Sequence, residues 1–242
     1  MFTMIQAVCL LSWIAIWTFI AAFLAGLIGL ITRSENLAHR LSIRPWARLL
    51  LFSARIRVNV KGLEHVDPQS PCVFMPNHQS NFDIPILLST LNTQFHFLAK
   101  KELFKIPIFG WGMKHAGYIA IERSNSRSGV KSFLEAAEKI KNGKSVVIFP
   151  EGTRSADGKI GEFKKGGFSL AIAAKVPVYP IVIRGAWEIM SRKALRIQSG
   201  KVDVIVLPPI FTTEMNRKDA ELLQGKVYTQ INDEFNNAKI FT

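Results

Sequence analysis

The 242-residue chain is short of negative charge: 18 aspartates and glutamates stand against 31 lysines and arginines, for a net charge of +13. It has only two cysteines, Cys9 in an apolar run and Cys72 in an expected strand. No disulfide framework is expected from that pair, and both read as small hydrophobes, which fits a reducing, cytoplasm-facing domain. His78, His96 and His115 lack the spacing that sets metal ligands on one helix face, so no metal is expected. Internal repeats, low-complexity tracts and long linkers are also missing, which makes one domain the economical reading.

Charge of either sign is missing from Met4 to Thr32, and from Ala7 to Ile31 the residues are almost wholly apolar, interrupted by Ser12 and Thr18. At ~1.5 Å per residue, a helix of about 25 residues covers a ~30 Å hydrocarbon core. It is long enough to span a bilayer or to bend into one leaflet. A signal peptide is the competing reading. Against it, no Lys or Arg precedes the run, the run exceeds the ~7 to 15 apolar residues of such peptides, and no small-x-small site precedes Arg33. Residues 1–57 are therefore expected to form a retained membrane anchor, apolar over 4–32 and basic and amphipathic over 34–56.

The basic part repeats Arg40, Arg44 and Arg48 at every fourth position, a helical stripe suited to an anionic membrane surface. Trp46 suits the headgroup layer, and Pro45 predicts a kink or a fresh helix start. An ordinary solvated helix face is the plainer alternative. Positive charge after the apolar run places the domain on the cytoplasmic face, at the inner membrane if the source is bacterial. A basic chain also suits nucleic acid, but zinc-ligand spacings, RNP-like aromatic blocks and long Arg/Lys tails are all lacking. Nucleic acid is therefore not an expected partner.

Residues 58–242 read as an α/β catalytic domain. Short apolar runs beside Gly, Pro or Asn predict strands over 57–61, 72–75, 95–99, 117–121, 145–149, 178–183 and 202–207. Helices are predicted over 128–142, stopped by Gly143, over 167–175 and over 219–236. The strand at 72–75 ends at Pro76-Asn77; His78 follows, and Asp83 stands just before Pro85. Proline is tolerated in the first helical turn, which sets Asp83 near a helix N-terminus and His78 in the loop before it. From that junction the carboxylate can reach back to the imidazole. In one continuous helix residues five apart would diverge by about 140°. A base for a hydroxyl is the chemistry this pair offers. After another apolar strand, Phe149-Pro150-Glu151-Gly152-Thr153-Arg154 presents a planar cationic fork on a glycine turn, suited to phosphate.

Four blocks, Asn77 to Asp83, Gly117 to Arg123, Phe149 to Ser155 and Val176 to Pro180, occur in the order and approximate spacing of glycerolipid acyltransferases. From about Val60 to Leu207 the chain resembles the 1-acylglycerol-3-phosphate (lysophosphatidic acid) acyltransferase family. In the second block Ala120 and Glu122 stand where members often carry Phe and Asp. The resemblance implies a single glycerolipid-acyltransferase-like domain, a mixed central sheet flanked by helices. It implies transfer of a fatty acyl group from an acyl thioester, on acyl-CoA or acyl carrier protein, to the sn-2 hydroxyl of 1-acyl-sn-glycerol 3-phosphate. The product is phosphatidic acid, and no cofactor is required. Another lyso-lipid acceptor, such as a lyso-aminolipid, or a non-catalytic basic membrane-tethered module, are the alternatives.

In that chemistry His78 takes the hydroxyl proton while Asp83 fixes the ring and stabilises the imidazolium. The resemblance assigns Glu151, Gly152, Thr153 and Arg154 to the acceptor-binding block; Glu151 itself is expected to orient Arg154 or cap a turn rather than touch the phosphate. Backbone N–H groups around Gly152 and Thr153 are candidate donors to phosphate or to the thioester carbonyl. Arg123 and Lys100 read either as assisting cations or as solvated surface charge. Gly167 to Ala171 faintly echoes a hydrolase elbow but does not follow a strand, so Ser169 is expected to pack or cap rather than attack.

Overall fold

The charge-free run folds as one long helix, α1 (Met4–Thr32). The computed structural model describes residues 4–122, 127–192, 194 and 196–237. Ser34 caps the next short helix, α2 (Glu35–Ala38), by accepting from the Leu37 N–H. A single π-helical turn, His39–Ile43, then leads into α3 (Arg44–Ser53), with Pro45 in the first turn of α3. The α/β part follows as β1 (Ile56–Lys61), β2 (Val73–Pro76), α4 (Asp83–Thr90), β3 (His96–Lys100), α5 (Phe109–His115), β4 (Ile119–Ile121), α6 (Arg127–Lys141), β5 (Val146–Val147), α7 (Lys165–Ala174), β6 (Val178–Arg184), α8 (Ala186–Ile189), β7 (Gly200–Val206) and α9 (Ala220–Asn237).

The strands form one seven-stranded sheet in the order β1-β7-β6-β2-β5-β3-β4. From β6 to β4 every pairing is parallel, whereas β7 runs antiparallel to β6 and carries β1 beside it in parallel. The sheet is therefore mixed, with helices on both faces. Alternation along β2 divides the core: Phe74 points to one face with Phe95, Ile86 and Leu87, while Val73 and Met75 point to the other with Ile140, Phe168 and Leu223. Each such buried side chain contributes about 1.5–3 kcal/mol through removal from water. Ala38, Ala47, Leu51 and Ala54 join the first of these cores, so the segment after α1 packs into the same body as the sheet. Ser169 lies within α7 and follows no strand directly.

Three features depart from the reading of the N-terminal segment. First, α1 is not free-standing, because α5, a short Gly- and Trp-containing helix that periodicity did not reveal, packs along it. The Trp111 ring lies so close over Gly26 that a Cβ there would sit 2.1 Å from ring carbon Cζ3. Second, Trp46 donates its Nε1–H to Thr18 Oγ1 at 3.2 Å, tying α3 to α1. Third, the arginine stripe is split. The π turn shifts the helical register, and Arg44 turns its guanidinium inward to the carbonyls of Leu91, Asn92 and Thr93, at 3.1, 3.3 and 2.7 Å. Those carbonyls lie just beyond the C-terminal end of α4, where a cation is favoured. Arg40 and Arg48 remain exposed. The outer side of α1 presents Ile16, Phe19, Ile20, Phe23, Leu27 and Ile31 to the surroundings.

Candidate active site

Ligand sites in open parallel sheets form beyond the carboxyl ends of the strands. Because β2 and β5 are neighbours, the loops after them are neighbours too, and this places His78 beside the Phe149–Arg154 segment. Asn77, fully buried, fixes where the first loop leaves the sheet: its amide donates to Ile183 O at 2.9 Å and its carbonyl accepts from Ile183 N at 2.7 Å. Ser80 Oγ adds a bond to Met190 O at 2.8 Å. The chain then enters α4 at Asp83, with Pro85 inside the first turn.

Asp83 is wholly buried, yet one of its oxygens is richly served. Oδ2 lies 2.7 Å from His78 Nδ1 and accepts from the N–H groups of Gln79 at 2.7 Å and Ser80 at 2.9 Å. Its place at the start of a helix adds the favourable end of the helix dipole. The hydrogen bond assigns the ring proton to Nδ1 and leaves Nε2 with its lone pair. The imidazole is 16% exposed and stacks on Phe149, centroids 3.8 Å apart, while Phe149 stacks in turn on Phe97. Phe149 borders one apolar cavity and Phe97 a second. One, of about 520 Å³, lies under α6 and α7 and is lined by Phe133, Ile148, Phe149 and Leu170. The other, of about 370 Å³, lies between α1, α3, α4 and α5 and touches Phe82, Phe97 and Met113.

Arg154 faces a third, polar cavity of about 850 Å³ with Lys159, Lys164 and Arg192. Arg154 has no hydrogen-bond or ion-pair partner among the described residues. Thr153 is exposed on the same wall. Gly152 borders the α6–α7 cavity instead, and its N–H closes a turn onto Phe149 O at 3.0 Å. That amide is therefore occupied, contrary to its expected availability as a donor. Glu151 is buried and does not reach Arg154: Oε1 accepts from His78 N at 2.7 Å and Oε2 from Gly161 N at 2.9 Å. Burial raises its carboxyl above the ordinary range, and the two N–H bonds oppose that rise. Lys100 stands exposed at the end of β3, on the same rim of the sheet. Arg123 lies outside the described residues.

Sequence reasoning missed Phe149 as the platform for the imidazole, and Lys159, Lys164 and Arg192 as neighbours of Arg154. Nothing in their spacing marks them; they arrive through the pairing of β2 with β5 and the return of the chain at α7 and α8. Among the described residues no group of three His, Cys, Asp or Glu side chains gathers as a metal site. His96 and His115 lie apart from the site, His96 beside Glu35 at the far end of β3 and His115 edge-on to Trp111.

The acyltransferase family model matches residues 57–184. Among curated proteins, the chain is 34% identical over 232 residues to the chloroplastic 1-acyl-sn-glycerol-3-phosphate acyltransferase BAT2 of Brassica napus, covering 94% of this chain and 65% of that protein. It is 32% identical to the 1-acyl-sn-glycerol-3-phosphate acyltransferase of Pseudomonas aeruginosa, covering 86% of this chain and 80% of that protein. The chain spans about half to two thirds of the length of the plastid relatives. Its structure superposes on the crystal structure of the 1-acyl-sn-glycerophosphate (LPA) acyltransferase PlsC from Thermotoga maritima with a TM-score of 0.82, at 26% identity and over 98% of this chain and 99% of that one. With the family model spanning more than half of its residues and a histidine–carboxylate pair at the carboxyl ends of its parallel strands, the chain belongs to the acyltransferase family.

Proposed function

We propose that the chain moves a fatty acyl group from an acyl thioester to the sn-2 hydroxyl of 1-acyl-sn-glycerol 3-phosphate, giving phosphatidic acid. The observation that carries this reading is the buried Asp83 holding a partly open His78, whose backbone is bonded to Glu151 and Ser155 on either side of Arg154, which is unpaired among the described residues. An alcohol is a weak nucleophile at neutral pH, and a positioned base supplies ~10²–10⁴ in rate. The acceptor hydroxyl gives its proton to His78 Nε2 as its oxygen bonds to the thioester carbonyl carbon. Asp83 retains the proton on Nδ1 and stabilises the imidazolium. Collapse of the tetrahedral adduct breaks the C–S bond, and the departing thiolate takes the proton from Nε2. His78 returns to its starting state, and no acyl-enzyme is formed.

Arg154 is assigned to the acceptor phosphate, with Lys100 and Arg123 as assisting cations. The apolar cavities bordered by Phe149 and Phe97 suit acyl chains, whose burial is worth ~0.8 kcal/mol per CH₂. The donor is acyl-CoA or acyl carrier protein, and neither a cofactor nor a metal enters the reaction. Residues Cys9–Thr32 of α1 are long and apolar enough to cross a membrane. We assign α1 as the anchor, its outward apolar side in lipid and the domain on the cytoplasmic face.

Purified protein given radiolabelled lysophosphatidic acid and a long-chain acyl thioester should form phosphatidic acid. Product only from another lyso-lipid would move the acceptor assignment, and binding without turnover would overturn the enzyme reading. Parallel reactions with acyl-CoA and acylated carrier protein identify the donor.

A further inference from the structure

The residues around His78 and those around Arg154 are joined more closely than two adjacent loops require. The His78 peptide is held from both sides by the second loop: its N–H donates to Glu151 Oε1 at 2.7 Å, and its carbonyl accepts from Ser155 N at 2.8 Å. A third bond runs from Gln79 Nε2 to Gly158 O at 2.6 Å. Glu151 spans further still, since Oε2 accepts from Gly161 N at 2.9 Å. Room for that bond depends on the absence of a side chain at Gly161, where a Cβ would stand 2.9 Å from Oε2. Arg154 sits between Glu151 and Ser155, the two residues that grip His78.

We propose that Glu151 is a positioning residue that straps the base loop to the phosphate loop, so that an acceptor phosphate held at Arg154 and the imidazole of His78 are fixed in one frame. The inference rests on the proposed reaction and goes beyond it by giving Glu151 a role separate from acceptor binding. Both carboxylate oxygens already accept from backbone N–H groups and the residue is 4% exposed, so the side chain is turned into the protein rather than towards a substrate. A carboxylate is the residue type this place needs, because two N–H groups converge and only a group that accepts at both ends satisfies them. Glutamine would accept at one end and oppose an N–H with its own NH₂ at the other. The consequence falls on geometry. A small misplacement of a catalytic group costs rate even where binding survives.

The test uses the full chain with whichever lyso-acceptor turns over, so wild-type turnover and its loss in His78→Ala report on the reaction independently of the strap. Glu151→Gln should lower kcat by ~10- to 100-fold while leaving the acceptor KM within about threefold, the pattern of lost alignment rather than lost binding. Gly161→Ala, which presses on Oε2 while leaving Glu151 itself unchanged, should reproduce part of that kcat loss and serves if Glu151→Gln folds poorly. In a His78→Ala background neither change should reduce the residual rate further, because residues acting through one base are not additive. A raised acceptor KM with unchanged kcat would make Glu151 a binding residue and overturn the strap. An undiminished kcat loss in the His78→Ala background would overturn it as well.

Discussion

Two histidine–carboxylate pairs lie at opposite ends of the same sheet, and they are built the opposite way round. At the carboxyl ends of the strands, Asp83 is sealed and His78 is 16% exposed. At the start of β3 the imidazole is the sealed partner: His96 is 4% exposed, and its Nε2 lies 3.0 Å from Glu35, which is 36% exposed. Glu35 is already neutralised by Lys144, whose Nζ approaches both carboxylate oxygens at 2.7 Å. The first arrangement leaves the imidazole partly open and hides the carboxylate that supports it. The second ties α2 to β3 and to the turn before β5. A histidine beside a carboxylate is thus no sign of catalysis until it is known which partner faces the open side.

Asp83→Asn should show the largest effect among changes to the supporting groups. The amide cannot reproduce a carboxylate oxygen that accepts from the ring and two backbone N–H groups, so kcat should fall by ~10²–10³ with acceptor KM little changed, read in steady-state kinetics. If Asp83→Asn is no worse than the matching change at Glu35, the contrast between the two ends fails. Arg154→Lys comes next: it keeps the charge and loses the fork, so the acceptor KM should rise about tenfold, with the donor KM unchanged. The reverse selectivity would assign Arg154 to phosphates of the donor.

Smallest in activity is Glu35→Gln, which should leave kcat unchanged and act on stability alone. The His96 imidazole 3.0 Å away, opposed by desolvation and helped by Lys144, brings the Glu35 carboxyl from 4.5 down to about 2. A depressed carboxyl contributes stability above its unfolded value and loses it as pH falls from about 4.5 towards about 2. Discounted for its exposure, the contribution is about 1 kcal/mol. Thermal melts of the wild type and Glu35→Gln should therefore differ at pH 7 and converge near pH 2. His39, edge-on to His96, acts in the same direction over a higher range: burial first, and then repulsion from His96, lowers it from 6.5 to about 3. The unfolded chain takes up that proton first, so stability from this group declines as pH drops from about 6.5.

Much of the fold was legible because periodicity reports local burial. The strand expected over 178–183 is β6, Val178–Arg184, and the helix expected over 128–142 is α6, Arg127–Lys141. His78 and Asp83 were legible because Pro76, Asn77 and Pro85 punctuate the chain at a loop-to-helix junction. What stayed hidden depends on partners distant in sequence. Helix α5 is short, with Gly110 and Gly112 around Trp111, and packs closely on α1 through Trp111 and Gly112. Glu151 looked like a neighbour of Arg154, yet its acceptors' partners are the backbone amides of His78 and Gly161. Arg44 looked like one of three surface arginines, but the carbonyls after α4 draw it inward. Backbone amides and carbonyls leave no mark in a pattern of side chains, so the groups that serve them are the hardest to read.

The same deletion of an imidazole at the two ends is the most direct trial, with kcat and melting temperature measured on His78→Ala and His96→Ala side by side. His78→Ala should lose ~10²–10⁴ in kcat with nearly unchanged acceptor affinity and a melting temperature within a few degrees of wild type. His96→Ala should melt several degrees lower while its folded fraction keeps kcat within about threefold. Near-normal turnover in folded His78→Ala, or collapse of turnover in a stable His96→Ala, would contradict the assignment of His78 as the base.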